Sequence, residues 1–126
     1  MTVSNIPRYT SEHKSFRLDA SKLFQIFGEI AEYALIQTEM QEHPQFPSLS
    51  PITFAGVDGV GTGRGLHIQT DRIGRNYRNE EVRTACELAR LGFDTNGGLG
   101  LEIEAYDGLV VDPEPLYKIG EKFSLR

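Results

Sequence analysis

Asn79-Glu80-Glu81-Val82-Arg83-Thr84-Ala85-Cys86-Glu87-Leu88-Ala89-Arg90-Leu91-Gly92 is the stretch whose reading decides the fold. Val82, Ala85, Cys86, Leu88 and Ala89 recur at three- and four-residue spacing, the pattern of one apolar helix face. Asn79 is a good N-cap, Glu80 and Glu81 complement the positive start of a helix, and Gly92 is a stop signal. Arg83 and Arg90 stand where Glu80 and Glu87 can pair with them on a helix surface. A helix is therefore expected from about Glu80 to Leu91.

Upstream lies a longer helix signal, about Ala20 to Glu42, with Asp19 or Ser21 as its cap. Leu23, Phe24, Phe27, Ile30, Ala31, Ala34 and Thr38 make the expected buried stripe, with Glu29, Glu32 and Glu39 opposite. Tyr33, Ile36 and Met40 fall outside that stripe, a surplus of apolar surface that leaves a homo-oligomer open. His43-Pro44 ends the helix, because proline disfavours helical geometry in the residue before it. The proline-rich run to Pro51 is a stiff connector within one domain.

Between the two helices, Ile52-Thr53-Phe54-Ala55 is a short strand. Leu66, Ile68 and Thr70 alternate with His67 and Gln69 in another. After the second helix, Asn96-Gly97 and Asp107-Gly108 are hairpin signals. They bracket Leu99, Leu101, Ile103 and Ala105, which alternate with Gly100, Glu102, Glu104 and Tyr106. Leu109-Val110-Val111 is expected to pair back, and the tail to add an edge segment through Leu116, Tyr117 and Ile119. The order α-β-β-α-β-β implies an α+β fold: a small antiparallel sheet of about five strands with two helices packed on one face. The whole chain, 1–126, is expected to be a single α+β domain, with residues 1–15 as an irregular N-terminal arm.

The 126 residues suffice for one compact core. No apolar run reaches the roughly 18 residues of a membrane span, so no membrane partner is expected. The start has no apolar leader, there is a single cysteine, Cys86, and no Asn-x-Ser/Thr sequon occurs, which together point to the cytoplasm. The formal net charge of −5 is unevenly spread. Residues 23–63 hold five acids and no base, and residues 91–117 hold six acids and no base. An acidic surface of this kind steers a basic partner; Glu29, Glu32, Glu39, Glu102 and Glu104 are its candidate partner-binding residues.

Two other features bear on chemistry. Gly56 to Gly65 has five glycines in ten residues, suited to converging backbone N–H groups on a phosphate. It lacks the Lys-Ser/Thr of a nucleotide P-loop, and a strand comes after it. Asp71-Arg72-Ile73-Gly74-Arg75-Asn76-Tyr77-Arg78 is basic and aromatic, and leads into the start of the expected second helix, where anions are favoured. Arg64, Arg72, Arg75, Tyr77 and Arg78 are therefore candidate ligand- or anion-binding residues.

No His-x-x-His, Gly-x-Ser-x-Gly or Cys-x-x-Cys occurs, so no catalytic residue, metal or cofactor is expected. Glu102, Glu104 and His67 are the weak hydrolase alternative. The leading expectation is a non-enzymatic, inhibitor- or adaptor-like protein that docks an acidic surface on a positively charged macromolecule, such as a protein of a nucleic-acid-handling complex. The runner-up is a protein that binds or sequesters a nucleotide or other phosphorylated small molecule. Direct duplex-DNA binding is disfavoured by the charge.

Overall fold

The computed structural model describes residues 11–40, 52–55 and 64–125. The elements run β1 (Ser11–Leu18), α1 (Leu23–Met40), β2 (Ile52–Ala55), β3 (Arg64–Arg75), β4 (Glu81–Phe93), β5 (Leu99–Tyr106) and α2 (Glu114–Lys122), with a short 3-10 turn at Ala20–Lys22. The strands form one antiparallel sheet in the order β1-β5-β4-β3-β2. Two helices accompany it, so the class is α+β. The connector after Met40 and the Gly56–Gly63 part of the glycine loop lie outside the described residues, as do residues 1–10.

The Glu80–Leu91 helix is a strand. β4 pairs with β3 from Arg64↔Phe93 to Arg75↔Glu81, and with β5 from Ala89↔Ile103 to Phe93↔Leu99. The helical spacing comes from a register shift. Ile68 opposes Ala89 and Gln69 opposes Glu87, so Leu88 is the extra residue of a β-bulge. A bulge advances the strand by one residue and breaks its alternation. Leu88 and Ala89 are consequently both buried side by side. Two period-two patterns joined out of phase then imitate a three-four repeat. Asn79 caps nothing; it takes a positive φ of 60° in the β3–β4 turn.

The second helix is instead α2, in the tail read as an edge segment. Leu116, Tyr117, Ile119, Gly120 and Phe123 are its buried residues or come directly after it. Their spacing of one, three, four and seven from Leu116 is that of a helix face. Only Ser124 makes a strand-like bridge, to Leu18. Residues 11–15, read as part of an irregular arm, belong to β1. Leu109 does not fold back on β5 but bridges Arg72 of β3. This strap is tight: Ile73 N donates to Gly108 O at 2.7 Å, and a Cβ on Gly108 (φ 83°) would collide with the Ile73 carbonyl.

Both helices cover the same face of the sheet. Leu18, Ile68, Ala89, Leu91, Leu99, Leu101 and Ile103 meet Ile26, Ile30 and Tyr33 of α1 and Leu116, Tyr117 and Ile119 of α2 in one core. Asp19 opens the helical segment as expected, its carboxylate accepting from Ser21 N at 3.1 Å. The long reach from α1 to the chain after β5 is pinned twice. Tyr33 Oη donates to the Asp112 carbonyl at 2.6 Å, and Asp112 N donates to the buried Gln37 side chain at 3.1 Å.

Candidate functional site

α1 buries a stripe that shares Ile30 and Ala34 with the one its spacing suggested but is rotated from it. Ile26, Ile30, Tyr33, Ala34 and Gln37 face the core, whereas Phe24 is 90 % and Leu35 66 % exposed. At about 100° per residue, Phe24, Ala31 and Leu35 fall within roughly 40° of one another on the helix circumference. Phe27 borders this ridge on the core side and Gly28 lies beside it. Glu32 and Glu39 adjoin it on the other flank, both exposed, and neither forms an ion pair among the described residues. Glu29 differs, since Lys122 of α2 binds its carboxylate at 2.8 Å. The helix carries three glutamates and no base. Its apolar residues occupy well over half the circumference, so periodicity could not fix which arc is buried.

Glu102 and Glu104 occupy the other layer. They flank Ile103, whose side chain enters the core, so both point to the face away from the helices. The acidic residues of α1 and those of β5 thus do not form one continuous surface. His13 of β1 sits between the β5 pair, 3.7 Å from Glu102 and 3.6 Å from Glu104. Placing His13 in an irregular arm conceals this neighbour; the β1–β5 register, with His13 opposite Glu104 and Ser15 opposite Glu102, creates it. On the same face, His67 Nδ1 lies 3.4 Å from Glu87, which also accepts from Arg90 at 3.3 Å. Glu87 and Arg90 share a face because the bulge at Leu88 lies between them. Arg83 pairs across strands with Asp71 at 2.7 Å rather than with Glu80.

The arginine-rich segment runs through the end of β3 into its turn with β4, not into a helix N-terminus. The helix dipole expected to favour an anion there is absent. Arg72 and Arg75 are three residues apart on a regular strand and therefore take opposite faces. The Arg72 guanidinium stands over the Tyr106 ring at 5.3 Å, Arg75 donates to the Asn79 carbonyl at 2.8 Å, and Arg78 stands over Tyr77 at 5.4 Å. The side chain of Arg64 is outside the described residues. Arg75, Tyr77 and Arg78 gather at the exposed tip, and Arg72 does not join them.

The half-buried Cys86 thiol is pushed up by burial, away from the thiolate that makes cysteine a nucleophile. Among the described residues no group of three or more His, Cys, Asp and Glu is placed to hold a metal ion. No helix there is long and apolar enough to cross a membrane. Comparison with known proteins finds no matching family model, curated protein or solved structure.

Proposed function

We propose that this chain is a non-enzymatic binding protein whose α1 is the docking element, presenting an acidic, apolar face to a basic-rimmed site on a macromolecular partner. One observation carries the reading: Phe24 and Leu35 are largely exposed on a helix with three glutamates and no base. Burying each of those side chains in a partner is worth roughly 1.5–3 kcal/mol. Glu32 and Glu39 add orientation and encounter rate, which is what charge contributes most in association. The acidic docking surface expected from the sequence is thereby narrowed to α1, with Glu102 and Glu104 left to the polar face of the sheet.

Affinity capture from the native host tests this. Wild type should retain a partner at roughly 50 mM salt and release it at roughly 500 mM, as screening shortens the reach of surface charge. Phe24→Ser/Leu35→Ser and Glu32→Lys/Glu39→Lys should each lose the partner. Glu102→Lys/Glu104→Lys should keep it. Capture that survives both α1 double variants would reject α1 as the docking element.

A further inference from the structure

We propose that the partner of the α1 face is a second copy of this chain: the tip of the β3–β4 hairpin of each copy seats on the α1 ridge of the other. The proposal rests on the reading of α1 as a docking face and names its occupant.

The hairpin projects. β5 leaves β4 at Ala89, β2 pairs with β3 no further than Thr70, and the Gly108–Val110 strap reaches only to Ile73. Beyond Ile73, β3 and β4 have only each other for strand neighbours among the described residues. A two-stranded ribbon beyond its sheet is marginally stable by itself and gains from a partner. Between Arg72 and Arg83 this ribbon holds four arginines against two glutamates. Tyr77 is 73 % exposed at its tip, and Ile73 and Val82 are partly exposed behind it.

The charges left uncompensated within one copy match between copies. Arg83 is neutralised by Asp71 and Glu29 by Lys122. Among the described residues, Arg75 and Arg78 are held only by a carbonyl and a ring, and Glu32 and Glu39 form no ion pair. Two bases at the ribbon tip thus face two acids one heptad apart on the helix, roughly 10 Å by helix rise.

Shape adds an independent point. Gly28 sits in mid-helix beside the ridge, where glycine weakens a helix relative to alanine. A Cβ there would meet nothing within 4 Å among the described residues, so no contact with them requires the missing side chain. A close approach from outside accounts for it, and the exposed Tyr77 ring at the tip supplies one. Each copy owns one α1 and one ribbon, so two copies set about a two-fold axis make the contact twice and close the pair.

Sedimentation of the purified full chain tests this, with two charge-reversed variants, Glu32→Arg/Glu39→Arg and Arg75→Glu/Arg78→Glu. All four positions are exposed, and an unchanged thermal midpoint checks that each variant folds. Wild type should dimerise at low salt, and each variant alone should associate roughly ten-fold or more weakly. An equimolar mixture of the two should recover a heterodimer, because both of its contacts again join opposite charges. Monomeric wild type, a dimer indifferent to both reversals, or a mixture that stays monomeric would each overturn the proposal. If wild type is monomeric while Glu32→Lys/Glu39→Lys still abolishes capture of a host partner, self-association fails and the docking reading stands.

Discussion

Two helical glycines show how adding a side chain takes opposite signs. In α2, a Cβ on Gly120 would run into the ring of Phe16 on β1, with no room between helix and sheet. Gly120→Val should cost about 1–3 kcal/mol through overpacking. A Cβ on Gly28 of α1 meets nothing among the described residues, so Gly28→Ala should stabilise the isolated chain by up to ~1 kcal/mol from helix propensity alone. Urea unfolding of both variants under dissociating salt checks the pair. Asp94 supplies a prediction in pH. Its carboxylate accepts from Gly98 N and Asn96 N in the β4–β5 turn, with Arg17 nearby, and these contacts hold its pKa below the ordinary aspartate range. A depressed pKa means stability that is present above the unfolded value and lost as pH falls through the folded one. Asp94→Asn keeps an acceptor oxygen in the turn but cannot titrate, so its thermal midpoint should fall less than that of wild type as the solution is taken below about pH 4. An equal acid loss in both would assign the effect elsewhere.

At the scale of elements, β4 decides the architecture, and a helical reading of it fails for a physical reason. Ala85, Glu87, Leu88, Ala89 and Arg90 are good helix formers, but pairing with β3 along the strand, and with β5 as well from Ala89 on, overrides propensity. The bulge at Leu88 then hides the alternation that would reveal a strand. Mutational cost discriminates the two readings. A helix would put Val82 on the core face, whereas the strand leaves it partly exposed on the ribbon and buries Leu91, which is 2 % exposed. Leu91→Ala should therefore cost about 2–5 kcal/mol, and Val82→Ala under about 1 kcal/mol. Comparable costs would contradict the β4 assignment. Residues 66–70 of β3 and all of β5, by contrast, are legible from alternation, whereas residues 71–75, the end of β3, read as a basic lead-in to a helix. The Asn96-Gly97 turn forms where its residues indicate, with Gly97 at φ 79°. α2 is equally available in the spacing of Leu116, Ile119, Gly120 and Phe123, and Pro115 in its first turn suits a helix start.

Over the whole molecule, charge is legible as composition and its arrangement is not. The base-free run of α1 and that of β5 look alike in one dimension, yet the sheet separates them. Likewise the helix start that would add its dipole to the arginines near position 75 is a strand. The ridge on α1 is hidden by abundance: Phe24 and Phe27 fit a core stripe because the helix is apolar over too wide an arc for spacing to choose between its faces. The functional consequence is a division of surfaces, with a polar sheet face on one side and an acidic, apolar helix ridge on the other. Site-specific photocrosslinking in the native host tests that division most directly, with a benzophenone side chain placed at position 24 or 35 on the ridge and at position 69 on the sheet face. A docking ridge on α1 predicts a discrete macromolecular adduct from the ridge positions and none from position 69; adducts from position 69 alone, or from all three equally, would contradict it.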